Sequence, residues 1–209
     1  MKKKISIIDS GLSNLYNVIQ AFTYMGMEVD IVNDNTSVFN DYLVLPGVGS
    51  FKKGMDEIIK KKLSSKIKEH VQSNKPFLGI CLGMQMMLSK SYEFGEYNGL
   101  GLIQGEIIKI PSLNHNNAKH KIPHIGWNYN MFSNNKDKLI NNIDDRASMY
   151  FVHSYMASLV NESNILAKTD YNGINVISII KHLNSYGCQF HPEKSGESGL
   201  QLLENFTEI

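Results

Sequence analysis

The chain has 209 residues, 42% hydrophobic and 20% charged, with a formal net charge of +1. This suits one compact domain that buries its own core, and the mixing of acids with bases leaves no electrostatic footprint for nucleic acid or an anionic membrane. Two cysteines far apart, without CxxC spacing or a His-rich neighbourhood, fit a reducing compartment and argue against a structural metal site.

Lys2-Lys3-Lys4 reads as a solvated entry to a first strand. Lys4 to Asp9 is that strand, closed by Gly11. Leu15, Val18, Ile19 and Phe22 follow at helical spacing, then Met27 to Val32 as a second strand. Tyr42 to Leu45 is a buried strand stopping at Pro46-Gly47, and residues 51–72 carry a helical pattern rich in lysine. Phe77 to Ile80 is the next strand, with a helix from about Leu82 to Leu88. Strands alternating with helices predict an α/β fold with an open, mainly parallel central sheet and helices on both faces. Beyond residue 100 the pattern becomes β-rich. Gly101 to Ile110, Ile122 to Phe132, Met149 to Val152, Asn164 to Lys168, Val176 to Ile180 and Tyr186 to Phe190 read as strands of an antiparallel extension, before a last helix near Ser198 to Phe206. Neither repeat nor linker interrupts the chain, so residues 1–209 are expected to form a single domain. No apolar run approaches the roughly 20 residues that span a bilayer, and the start lacks a signal-peptide core, so a cytoplasmic protein is expected.

Three segments carry chemistry. In Gly79-Ile80-Cys81-Leu82-Gly83 a cysteine stands at a strand-to-helix turn with glycines two residues either side, the spacing of a nucleophile elbow. A helix N-terminus there favours thiolate, and the Leu82 N–H points where an oxyanion develops. Alone, the pentapeptide fits an inert buried thiol equally well. In Gln189-Phe190-His191-Pro192-Glu193-Lys194, an extended backbone puts His191 and Glu193 on one face, a base with its orienter. The combination favours a Cys81-His191-Glu193 triad. Pro46-Gly47-Val48-Gly49-Ser50 lacks the Lys-Ser/Thr of a phosphate loop and reads as the opposite wall of an oxyanion site, at the carboxyl edge of the sheet. Met84 and Met87 read as core, Cys188 as a small buried hydrophobe. Trp127 fits core or interface equally, and His124 and His153 fit structural roles.

These segments, with Met84-Gln85, Pro123-His124-Ile125-Gly126-Trp127-Asn128 and Tyr150-Phe151-Val152-His153-Ser154-Tyr155, resemble the class I (triad) glutamine amidotransferases. Within them the chain is most similar to the glutaminase subunits of imidazole glycerol phosphate synthase, along its whole length. The resemblance implies that Cys81 attacks the glutamine side-chain amide to form a γ-glutamyl thioester. His191 protonates the leaving ammonia and then activates water, and Glu193 holds His191. It implies an oxyanion hole of the Leu82 and Gly49 N–H groups, completed by reorientation of the Val48-Gly49 peptide. Gly47, Gln85, Glu93, His153, Ser154 and Tyr155 are implied to hold glutamine. No cofactor or metal is implied. The implied partner is a (β/α)8 barrel cyclase that receives the ammonia in a heterodimer, with Asn14, Trp127, Tyr150 and Lys194 at the interface. Ser10 and Ser13 depart from the family's usual Tyr and Gly in the loop facing the partner. They leave open a paralogous role, supplying ammonia to a sugar amidotransferase that makes acetamidino sugars. A noncatalytic regulatory protein and a cysteine peptidase are the rivals from other classes.

Overall fold

The computed structural model describes residues 3–133 and 137–209. The chain runs β1 (Lys4–Ile8), α1 (Leu15–Tyr24), β2 (Glu28–Val32), β3 (Tyr42–Gly47), α2 (Phe51–Lys60), α3 (Ser64–Gln72), β4 (Phe77–Cys81) and α4 (Leu82–Met86). It continues through β5 (Leu88–Ser91), β6 (Tyr97–Asn98), β7 (Ile103–Lys109), β8 (His124–Tyr129), β9 (Met131–Phe132) and β10 (Ser148–His153). Last come β11 (Tyr155–Leu159), β12 (Ile165–Tyr171), β13 (Ile174–His182), β14 (Ser185–Cys188) and α5 (Gly196–Phe206). Lys2 of the N-terminal lysine run lies outside the described residues, while Lys3 and Lys4 form surface ion pairs with Glu208 and Glu28.

Eight strands form the central sheet in the order β2-β1-β3-β4-β14-β13-β12-β9. The first five are parallel and the last three antiparallel; β14, expected in the antiparallel extension, instead pairs parallel with β4, and the expected strands β7, β8 and β10 leave the central sheet for two smaller ones. Alternation along each strand sends Ile5, Ile7, Val44, Leu78 and Ile80 to one face, packed with α1 and α5. Ile8, Leu43, Leu45 and Phe77 go to the other face, against α2, α3 and α4. A four-stranded sheet (β11-β7-β5-β6) and the two-stranded β10-β8 ribbon complete the fold.

Several expected boundaries move. The helical pattern over 51–72 is two helices, because Lys62 takes a φ of 55° and turns the fully buried Leu63 into the core. The helix expected to reach Leu88 ends at Met86; Met87 closes it, and Leu88 opens β5, whose parallel partner is β7. β11, absent from the expected elements, follows β10 after one residue and lies in a different sheet. Pro192 to Lys194, expected to be extended, is a 3-10 turn in which proline at the first position supplies the required φ.

The β10-β8 ribbon buries a histidine pair. His153 and His124 are register partners, His124 Nδ1 and His153 Nε2 lie 3.0 Å apart, and His124 is stacked between Phe151 and Tyr171 at 4.6 and 4.0 Å. Burial, then the neighbouring charge of His153, pushes His124 down to about 3. Burial outweighs the hydrogen bond to the Tyr155 carbonyl and takes His153 to about 4. Both rings are therefore neutral at pH 7.

Gly83 is the tightest contact in the core, since a Cβ there would sit 1.7 Å from the Leu45 carbonyl oxygen. We expect Gly83→Ala to destabilise the fold by about 3 kcal/mol or more in denaturant titration, because α4 must then lift away from β3. The histidine pair gives a second expectation. Above pH 6.5 both rings are neutral folded or unfolded; below it the unfolded chain takes up protons the fold refuses, so stability falls as pH drops toward 4. The thermal midpoint should be lower at pH 5 than at pH 7, with imidazole nitrogen shifts of His124 and His153 still those of neutral rings. Protonated rings at pH 5 would refute this.

Candidate active site

Cys81 sits at the β4–α4 junction with φ 53° and ψ −107°, a left-handed backbone that a non-glycine residue adopts only when its surroundings hold it there. The surroundings are visible. A Cβ on Gly79 would lie 2.8 Å from the Gly83 backbone, and Gly83 lies directly on β3. The flanking glycines thus let strand, helix and neighbouring strand close up, which turns the Cys81 thiol to the head of the helix. With five residues α4 contributes little macrodipole, so the helix is a weaker source of thiolate stabilisation than the sequence implies.

The imidazole supplies more. His191 Nδ1 lies 2.8 Å from Glu193 Oε1, with both side chains almost fully buried. Burial pulls the His191 pKa down, but the facing Cys81 sulfur and the Glu193 carboxylate outweigh it and hold the ring at about 10. His191 is therefore an imidazolium at neutral pH. Its Nε2 has no ordinary hydrogen-bond partner among the described residues and faces the sulfur at a looser contact, as catalytic pairs without substrate commonly do. The three groups converge although more than a hundred residues separate Cys81 from the others. Parallel pairing of β14 with β4, Cys188 opposite Ile80, brings the two segments side by side.

The clamp on His191 extends beyond Glu193. Its backbone N–H donates to the Tyr150 carbonyl (2.9 Å). Ser195 Oγ donates to the His191 carbonyl (2.6 Å) and accepts the Tyr150 N–H (3.0 Å). Ser195, given no role by the sequence, thus staples β10 to the His191 backbone.

A cavity of about 730 Å³ opens over Cys81. Leu82, Val48 and Gly49 line one side, Gln85 and Glu93 another, and His153, Ser154 and Tyr155 a third. Gly47 is buried opposite Cys81 in the β3–β4 register and does not reach the cavity; a Cβ there would press on Leu82 at 3.0 Å. Gly49 takes a φ of 99°, with nothing within 4 Å of its Cβ position. The Val48 N–H donates to the Leu12 carbonyl (2.6 Å), so this loop is tied to the one carrying Ser10 and Ser13. Glu93 Oε2 accepts the Phe51 N–H at 2.5 Å. His153 borders the cavity with both ring nitrogens engaged, by the Tyr155 carbonyl and by His124, so it offers a ligand its carbon edge and backbone only. Lys109 and Phe94 also line the cavity and carry no signal in sequence, since nothing there ties β7 to β4. Among the described residues no cluster suited to a metal ion occurs, and no helix is long and apolar enough to cross a membrane.

Of the residues assigned to a partner face, Trp127 is 54% exposed, which removes it from the core. It pairs with Tyr150 across the ribbon, their rings 5.8 Å apart, and Ile125 and Tyr129 extend the exposed stripe along β8. Asn14 is exposed at the start of α1, and Lys194 is half-buried in the turn that holds Glu193.

The sequence profile of the family described as glutamine amidotransferase class-I matches residues 6–209. The chain is 47% identical over 210 aligned residues to the imidazole glycerol phosphate synthase subunit HisH 1 of Legionella pneumophila (strain Lens), covering 98% of this chain and 99% of that protein. It is 43% identical to the subunit HisH of Aquifex aeolicus, covering 96% and 94%. Among solved structures, PurLQS from Thermotoga maritima superposes with a TM-score of 0.77 at 19% identity, over 100% of this chain and 99% of that one. A glutamine amidotransferase from Thermotoga maritima gives 0.62 at 16% identity, over 100% and 84%. Those two likenesses establish the shared fold, and the profile match with the full-length relatives establishes the family: the chain belongs to the class I glutamine amidotransferases.

Proposed function

We propose that this chain, acting as one unit over residues 1–209, is the glutaminase subunit of an imidazole glycerol phosphate synthase. The observation that carries the chemistry is the convergence of Cys81, in its strained elbow, with the buried His191–Glu193 pair beneath one cavity. The thiolate attacks the side-chain amide carbon of glutamine. His191, protonated at rest, delivers its proton to the departing nitrogen, and the C–N bond breaks to leave a thioester. The neutral ring then takes a proton from water, whose oxygen adds to the thioester carbon and expels the thiolate. Glu193 stabilises the imidazolium that both half-reactions require. The Leu82 N–H faces the developing oxyanion, and the Gly49 N–H joins it once the Val48-Gly49 peptide turns.

The cavity suits an α-amino acid. Glu93 is its one carboxylate and Lys109 its one cation among the described lining residues, opposite charges for an α-ammonium and an α-carboxylate. Gln85 spends its amide N–H groups on the Tyr155 carbonyl and Gln189, which leaves its oxygen for a donor of the substrate. Ser154 and Tyr155 supply the remaining polar wall.

Ammonia released into neutral water is protonated and loses its lone pair, which is why such a subunit passes it directly to a synthase partner. The exposed Ile125, Trp127 and Tyr129 stripe, with Tyr150, Asn14 and Lys194, suits docking on a (β/α)8 barrel cyclase. The relatives bearing the name of this synthase favour it over a sugar amidotransferase.

The test is co-purification with each candidate partner followed by a glutaminase assay. We expect slow hydrolysis by the isolated chain, strong stimulation by the cyclase with its ligand bound, and loss of activity in Cys81→Ala. Equal turnover with and without partner would overturn the coupling, and stimulation by the sugar amidotransferase alone would reassign the pathway. Glu93→Gln keeps an acceptor for the Phe51 N–H while removing the charge. It should raise KM for glutamine by about tenfold or more with a smaller change in kcat, and an unchanged KM would remove Glu93 from the ammonium site.

A further inference from the structure

Gln189 follows β14, is completely buried, and has no part in the triad reading. Its side chain nevertheless bridges the nucleophile and the cavity wall. Nε2 lies 3.8 Å from the Cys81 sulfur, and Oε1 accepts Gln85 Nε2 at 3.1 Å.

The direction of this bridge follows from its far end. The Tyr155 carbonyl, which only accepts, is met by Gln85 Nε2 at 3.2 Å and by His153 Nδ1 at 2.9 Å. Gln85 must therefore turn its NH2 toward Tyr155, and that same NH2 meets Gln189. Gln189 answers with its oxygen, so its own NH2 is left facing the sulfur. Reversing Gln85 would set its oxygen against a carbonyl, and reversing Gln189 alone would set two NH2 groups against each other.

The second branch obeys the same rule. His153 Nδ1–H donates to Tyr155, so Nε2 accepts from His124 Nδ1–H at 3.0 Å, and His124 Nε2 accepts from Asn128 Nδ2 at 2.8 Å. Neutral rings in this tautomer keep the Tyr155 carbonyl fixed as the shared acceptor, and through it the two glutamines.

We propose that Gln189 is a further catalytic residue, whose amide N–H donates to the Cys81 sulfur and stabilises the thiolate. The donor serves twice: before attack, and when the thioester adduct breaks its C–S bond and returns the electron pair to sulfur. Gln85 is the positioning residue that fixes its orientation. The inference rests on the reading of Cys81 as nucleophile.

The test is the rate of iodoacetamide alkylation of Cys81 as a function of pH, read by mass spectrometry so that Cys188 is distinguished, with glutaminase kinetics alongside. Gln189→Met keeps the length of the side chain and removes both the donor to the sulfur and the acceptor of Gln85. We expect the midpoint of the alkylation profile to rise by about one pH unit and kcat to fall by about tenfold, with a smaller rise in KM through the loosened Gln85. Gln189→Asn, which keeps an amide but withdraws it from the sulfur, should shift the midpoint the same way by less. It carries the test if the methionine variant does not fold. An unmoved midpoint and kcat in a folded variant overturn the proposal. Cys81→Ala separates the two readings: an active Cys81→Ala enzyme sinks the triad itself, whereas an inactive one beside a normal Gln189→Met enzyme sinks only the role of Gln189.

Discussion

The site depends on one steric constraint, the closure of α4 onto β3 through Gly83. With its Cβ position 1.7 Å from the Leu45 carbonyl, no larger residue fits without moving the helix, and Gly79 allows the same approach from the strand side. Cys81 lies between those two contacts and takes up the turn, in a left-handed conformation that costs on the order of 1–3 kcal/mol. That cost is borne by the core on both faces of β4, where Phe77, Leu78 and Ile80 are buried. The same closure orients Leu82 so that the first N–H of α4 and the sulfur share one cavity.

The histidines show how partner chemistry decides the charge of two rings that burial pushes the same way. His153 and His191 are both buried, yet His191 is held at about 10 and His153 at about 4. The difference lies in what each ring faces: a carboxylate and a thiol for His191, a carbonyl and a second neutral ring for His153. An imidazolium at 191 also disfavours charge at 153, so the two settings reinforce each other. One region of the core thus holds an imidazolium and, beside it, neutral rings whose contacts reach the Tyr155 carbonyl.

Much of this is legible in sequence because it is local. The apolar runs before Gly11, Pro46 and Cys81 mark the parallel strands, and the elbow spacing marks the proposed nucleophile. The His-Pro-Glu segment marks the proposed base even though its backbone is a 3-10 turn instead of an extended strand. What stays hidden is non-local. β5 and β11 exist because they pair with β7, and no periodicity within Leu88–Ser91 or Tyr155–Leu159 announces a partner elsewhere in the chain. Lys109 and Phe94 are hidden for the same reason. Gly47 enters the substrate wall only through the family resemblance, and as the last residue of β3 its register directs it against Leu82.

Ser195 marks the boundary between the two kinds of information. Its hydroxyl accepts from Tyr150 and donates to the His191 carbonyl, so a displacement of β10 acts on the backbone that carries the base. Tyr150 is also the register partner of the exposed Trp127. A protein docking on the β8 stripe therefore presses on a strand stapled to His191, while the loop of Ser10 and Ser13 holds Val48 on the opposite wall through Leu12. The two walls of the cavity are thus attached to two separate surface segments.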